Sequence, residues 1–254
     1  MKKDRIFDGS QRRASDFAFD AEVAAVFDDM VVRSVPFYQE QQGMIASIGK
    51  QFWVPGTMVY DLGCSTATTL VGLCRELPAS AHGIGYDSSL PMLEQARHKI
   101  RESNLQERIE VRHGDLNGEL STLALDNASV VTMCWTLQFI RPLRRDDVIR
   151  WIYDRLVDGG VLIVTDKILA EVGHVNRLFI DLYYAFKKGQ GYSETEIARK
   201  REALENVLVP YRVTENLELF RRNGFAIVEP FFQWFNFAGV LCVKESARET
   251  PAGP

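Results

Sequence analysis

Three stretches of this chain put small residues and carboxylates where they could hold a nucleoside. In Val59–Leu70, VYDLGCSTATTL, an apolar run closes on Asp61-Leu62-Gly63 and is followed by Cys64, Ser65 and Thr66. That pattern reads as a strand turning into a helix, with Gly63 allowing a tight turn and close backbone approach to a ligand. A dinucleotide needs a second glycine here, because its pyrophosphate presses on the backbone. Ser65 and Thr66 suit a ligand without pyrophosphate. Asp87 ends the next apolar run and can accept hydrogen bonds from two ribose hydroxyls. Gly114-Asp115-Leu116 follows a third strand, the alternating IEVRH; Asp115 is placed to accept an adenine amino group, and the Leu116 N–H can be offered to a ring nitrogen. Each stretch has a plain reading as well: an ordinary strand–helix turn, a helix N-cap and a Gly-Asp turn. Taken in order they favour an S-adenosylmethionine-type ligand, with NAD as the competitor.

Other reactive residue types are less suggestive. His82, His98, His113 and His174 form no cluster, and none is assigned a catalytic role. Cys64, Cys74, Cys134 and Cys242 lack C-x-x-C spacing, so neither a zinc site nor a disulfide framework is expected. Cys134 falls near the end of an apolar strand, where substrate-facing residues often lie, although a small core residue would look the same. Arg201 stands beside Arg199 and Lys200 and by composition reads as a solvated helix cation.

The elements that must position these residues alternate. Helical spacing is expected over 19–35, interrupted at Pro36, and again up to Trp53. Strands are predicted at 58–62, 83–87, 109–115, 128–139 and 161–167. Helices fall between them at 66–77, 90–104 and 144–157, the last closed by Asp158-Gly159-Gly160. Residues 172–208 break the alternation as two helices separated by Gly189-Gln190-Gly191. A helix at 213–224 then leads to an antiparallel hairpin turning near Gln233–Asn236. The expected fold class is α/β, and the alternation resembles a Rossmann-like class I methyltransferase fold. Its mostly parallel seven-stranded sheet carries an antiparallel C-terminal hairpin, with added N-terminal and inserted helices. Residues 1–18 are expected to be a flexible N-terminus, 19–245 a single domain with a helical insertion at about 172–208, and 246–254 a disordered tail.

With 254 residues, 46% hydrophobic, the chain can fill a substantial core. A net charge of −4 argues against a non-specific nucleic-acid footprint but leaves room for a local basic pocket. No apolar run is long enough to span a membrane, and no secretory signal is read at the N-terminus, so a cytoplasmic location is expected.

From Phe19 to Lys244 the chain resembles the bacterial carboxy-S-adenosyl-L-methionine synthases. The stretches that carry this are FDAEVAAVFDDMVVRSVPFY, PGTMVYDLGCS, WTLQFI, YAFKKGQGYSETEIARKREALENVL and FQWFNFAG. The resemblance implies that S-adenosylmethionine and prephenate become carboxy-S-adenosylmethionine and phenylpyruvate, for modification of wobble uridine in tRNA. It implies a homodimer with no metal, no direct nucleic-acid partner and no membrane partner. It places ligand contacts at Tyr38, Gly63, Cys64, Ser65, Asp87, Ser88, Asp115, Leu116 and Cys134. Arg201 it makes the catalytic cation that grips the new carboxylate. Two departures stand out: Cys134 replaces the family's usual Asn, and Thr-Ala-Thr-Thr after Ser65 lacks a glycine. Alternatives consistent with the same residues are a methyltransferase acting on a small acid or tRNA, and a non-catalytic S-adenosylmethionine binder.

The implied chemistry asks little of a protein base. A sulfonium acidifies its own methyl group, the hydroxyl leaving prephenate can take the proton, and aromatisation drives the release of CO₂. The protein must hold two ligands together and keep water out. A fixed guanidinium for the added carboxylate fits that need.

Overall fold

The computed structural model describes residues 3–8, 17–205 and 207–245. Strands β1 (Met58–Leu62), β2 (His82–Asp87), β3 (Ile109–His113), β4 (Ala128–Cys134) and β5 (Leu156–Lys167) run parallel. Strands β6 (Ile227–Trp234) and β7 (Phe237–Val243) close the sheet as an antiparallel hairpin on β5. The order among the described residues is β3-β2-β1-β4-β5-β7-β6. Strand order therefore reverses at β1 and β4, which opens a crevice above their carboxyl ends.

Helices cover both faces, which is why the central strands read as unbroken apolar runs. On one face α3 (Tyr38–Phe52), α4 (Thr68–Glu76) and α5 (Leu90–Glu102) bury Ile45, Leu70 and Leu93 against Val59, Val130 and Ile163. On the other, α6 (Arg145–Arg155) and α9 (Val213–Arg222) bury Ile149, Ile152 and Phe220 against Val131 and Leu162. The remaining helices are α1 (Ala21–Ala24), α2 (Phe27–Ser34), α7 (Gly173–Gly189) and α8 (Glu194–Leu204). Ser193 and Glu196 start α8 with a reciprocal capping box.

Several boundaries differ from the sequence reading, each for a local reason. The helix expected over 19–35 is split at Val26 into α1 and α2. The strand expected over 128–139 stops at Cys134, because Trp135 takes a left-handed φ of 55° and a 3₁₀ turn, Leu137–Phe139, follows. Gly159 and Gly160 do not close α6. The helix ends at Arg155, and both glycines lie inside the longer β5, where the Gly159 N–H donates to the Lys244 carbonyl at 2.8 Å. Residues 3–8, expected to be loose, are anchored: Asp4 is 2% exposed, and Phe7 joins a cluster with Phe17, Val23 and Met30. The expectation for 246–254 lies outside the described residues. At the sheet margin, β6 carries Pro230 with a register shift between Pro230 and Phe232.

Candidate active site

One large cavity lies over the carboxyl ends of β1, β2, β4 and β5. The N-terminal segment with α2 and α3 closes one side, and α7 with α8 another. Gly63 takes φ 78°, and a Cβ there would strike the Thr136 side chain, so the turn requires glycine. The N–H groups of Gly63 and Cys64 do not face a ligand as the sequence suggested. Both donate to the Tyr86 carbonyl, at 2.8 and 2.9 Å. Adjacent parallel strands satisfy these amides first, and the turn gives the ligand space rather than donors.

Asp87 is fixed by the same logic. Its carboxylate accepts from the Ser65 N–H at 2.9 Å and the Ser89 N–H at 2.8 Å. Helix α5 is capped instead by Ser89, whose side chain accepts from the Met92 N–H. Burial raises the Asp87 pKa, opposed by the Ser89, Ser65 and Ser88 amides and by His113. Asp115 accepts from the Asn117 N–H at 2.9 Å, and it lines the cavity with Leu116 and Ser88. This end of the cavity thus presents two carboxylates in the order β2, β3.

Tyr38 and Cys134 also line the cavity. The Tyr38 ring lies 5.1 Å from that of Trp135, and its hydroxyl bonds to Thr68. Burial pushes the Cys134 thiol well above its ordinary pKa, with the nearby Asp61 carboxylate adding to the effect, so the group is a neutral thiol. Burial likewise raises Cys64. Neither is a nucleophile in waiting. At the floor, Asp61 accepts from the Thr132 hydroxyl at 2.7 Å, and burial pushes its carboxyl up to about 7.

Arg201 is not brought to this cavity. It is exposed on α8, bonds to Tyr184, and is absent from the lining, so the expectation of a guanidinium inside the site is not met within one chain. Its neighbour Lys200 is the α8 cation that lines the cavity.

Sequence reasoning missed several residues. Asp28 on α2 accepts from Thr66 Oγ1 at 2.6 Å and from Lys99 Nζ at 2.8 Å; Lys99 also donates to Thr66 and Thr68, at 2.9 and 2.6 Å. This clasp ties the N-terminal helices to the turn after β1. Lys167, Lys200 and Tyr183 were missed as well, since charges on separate elements converge only after folding. Trp135 opens the WTLQFI stretch that carries the resemblance, yet no site role was read for it; a bulky residue with positive φ marks a constrained place once seen.

Among the described residues no group of His, Cys, Asp and Glu could hold a metal ion. The site fits S-adenosylmethionine: a nucleoside end with carboxylates in order, aromatic rings over the centre, and side chains rather than glycines where a pyrophosphate would press.

Residues 59–160 match a family described as a methyltransferase domain. Among solved structures, an O-methyltransferase family protein from Burkholderia thailandensis is 18% identical, with TM-score 0.70 over 93% of this chain and 66% of its own. Human N-acetylserotonin methyltransferase in complex with SAM is 13% identical, with TM-score 0.59 over 89% and 56%. These likenesses establish the fold. Curated relatives decide the family. A carboxy-S-adenosyl-L-methionine synthase from Methylococcus capsulatus is 47% identical over 96% of this chain and all of its own length. That of Nitratiruptor sp. is 42% identical over 96% and 99%. The chain belongs to the carboxy-S-adenosyl-L-methionine synthase family. In this synthase-family chain the methyltransferase-domain match spans Gly63, Asp87, Asp115 and Cys134, all of which line the cavity.

Proposed function

We propose that this protein converts S-adenosyl-L-methionine and prephenate to carboxy-S-adenosyl-L-methionine and phenylpyruvate, as a cytoplasmic homodimer whose product supplies wobble-uridine modification in tRNA. The observation that carries this reading is identity of 40–47% to relatives of that name along nearly the whole chain.

The residues divide the work. Gly63, Cys64 and Ser65 make room for the methionine end, Asp87 and Ser88 receive the ribose, and Asp115 with Leu116 receives adenine. Tyr38 and Trp135 shut water from the sulfonium. When bound, the sulfonium supplies the acidic methyl group. Cys134, a weak hydrogen-bonding partner, takes the place of the family's Asn. No side chain need act as base, since the second substrate releases one.

Arg201 fits a role across the dimer. Its exposure on α8, away from its own cavity, supports a reach into the cavity of a second copy, where it would fork onto the added carboxylate. Arg201→Ala should lower affinity for carboxy-S-adenosylmethionine by roughly tenfold or more, the equivalent of one lost charged hydrogen bond, and leave S-adenosylmethionine within twofold. Titration calorimetry with both ligands checks this; equal affinities before and after substitution would remove Arg201 from the site.

Mass spectrometry of ligand released from the purified protein tests the function. A species heavier than S-adenosylmethionine by one CO₂ is expected, and prephenate should be consumed in stoichiometric step with its formation. Release of the demethylated product after incubation with a methyl acceptor would favour a methyltransferase instead.

A further inference from the structure

The cavity has a second end unlike the first. Away from Asp87 and Asp115 it is walled by Trp135, Phe237 and Tyr183, and two lysines from different elements line it: Lys167 at the tip of β5 and Lys200 on α8. A third, Lys187, is buried on α7 behind the same tyrosine. The Lys167 ammonium sits 5.3 Å from the centre of the Tyr183 ring, and that of Lys187 sits 4.5 Å from it. Lys200 donates to Ser34 Oγ at 3.1 Å.

These charges are poorly compensated. Among the described residues, neither Lys167 nor Lys187 has a carboxylate partner for its ammonium; each lies against aromatic faces. The carboxylate whose field reaches Lys200 is Asp4, which already accepts from the Tyr192 hydroxyl at 2.6 Å and the Ile6 N–H at 3.2 Å. Arg33 adds further positive charge there. In a chain of net charge −4, such a gathering of cations is a local arrangement and not a reflection of composition.

We propose that Lys167 and Lys200, which line the cavity, with Lys187 adding its charge from behind Tyr183, form the subsite for the carboxylates of a cyclic acid, the second substrate of the reaction. The inference rests on the synthase reading and gives it a second binding locus. Three arguments carry it. A buried cation without a partner is costly, and sites keep one where a ligand supplies the partner. S-adenosylmethionine is itself a cation at sulfur, so its sulfonium is repelled by this end, while the carboxylate end of the cavity takes the nucleoside. The aromatic walls suit a ring. Burial, with the neighbouring lysines and Arg201 adding to it, pulls the Lys187 ammonium down to about 7, and burial pulls Lys200 down to about 8. Lys167 is lowered by burial alone. An incoming carboxylate would relieve all three.

The test uses the full chain loaded with S-adenosylmethionine, as wild type, Lys167→Met, Lys187→Met and Lys167→Arg. Three quantities are read: the KM for prephenate, the calorimetric Kd of phenylsuccinate as a stable ring-bearing dicarboxylate probe, and the Kd of S-adenosylmethionine and its carboxylated form. Lys167→Met should raise the KM and the probe Kd by roughly tenfold or more, as loss of a charge-assisted bond does, and Lys187→Met, acting from behind Tyr183, should raise both by less. S-adenosylmethionine should stay within twofold, and Lys167→Arg should recover most of the loss. Thermal stability of the Met variants should be unchanged or higher, because an uncompensated buried charge is removed; a purely structural lysine would lower it. Unchanged KM and probe affinity with turnover intact would overturn the subsite and leave the synthase reading standing. Weakened carboxy-S-adenosylmethionine with unchanged prephenate would overturn it too, by placing the lysines on the product carboxylate. Lysine-dependent probe binding without any prephenate turnover by wild type would uphold the subsite and sink the synthase reading.

Discussion

Gly63 is the residue on which the turn after β1 depends. Its φ of 78° is one that L side chains rarely adopt, and its Cα hydrogen faces Thr136 with no room for a methyl group. Gly63→Ala should destabilise the fold by more than about 1 kcal/mol through backbone conformation alone, before the displacement of Thr136 is counted. Urea unfolding measures the first effect and S-adenosylmethionine titration the second; an unperturbed variant would mean the turn tolerates a side chain. Gly63, Asp87 and Asp115 were legible in the sequence because each ends a segment of strand length, apolar for the first two and alternating for the third. The N–H accounting was not legible. Which strand carbonyl absorbs the amides of Gly63 and Cys64 depends on the register of β1 against β2, fixed only in three dimensions. Arg201 shows the converse limit: a motif marked it, yet within one chain it lies outside the cavity lining.

At the scale of elements, the sheet and its crossovers could be read from alternating apolar and amphipathic segments. The errors fell where backbone conformation overrides pattern, at Trp135 after β4 and at Gly159 inside β5. The N-terminal helices were legible as helices, yet nothing in their pattern announced what they grip. Asp28 supplies that grip, holding α2 to Thr66 on the turn before α4 and to Lys99 on α5. Asp28→Ala would remove the Thr66 bond and leave Lys99 with hydroxyl partners only. A loss of about 1.5–3 kcal/mol is expected for a hydrogen bond to a charged group, with weaker S-adenosylmethionine binding as the cap loosens. Hydrogen exchange localised to α2 and α3 checks the mechanism; protection unchanged in those helices would separate the cap from the clasp.

Over the whole molecule, two buried carboxyls give stability an uncommon pH slope. Burial raises Asp61 to about 7 and Asp166 to about 8, from an ordinary 3.8. Between roughly pH 4 and 7 the folded chain therefore holds protons that the unfolded chain has released. Their contribution is fully present below the unfolded value and is lost as pH rises through the folded ones. Asp61→Asn, which keeps an acceptor for Thr132, should gain stability over wild type, with the gain growing from pH 5 to pH 8. Denaturant midpoints at both pH values check it, and a gain independent of pH would show that Asp61 is ionised throughout.

The hairpin's outer strand has a bearing on how copies of this protein can meet. Joining two sheets edge to edge requires a regular ladder of outward amides. Proline at 230 deletes one rung, and the irregular spacing up to Phe232 tilts those beside it. Edge-to-edge pairing through that margin is thus discouraged at its source, which leaves β3 as the sheet's other free edge among the described residues.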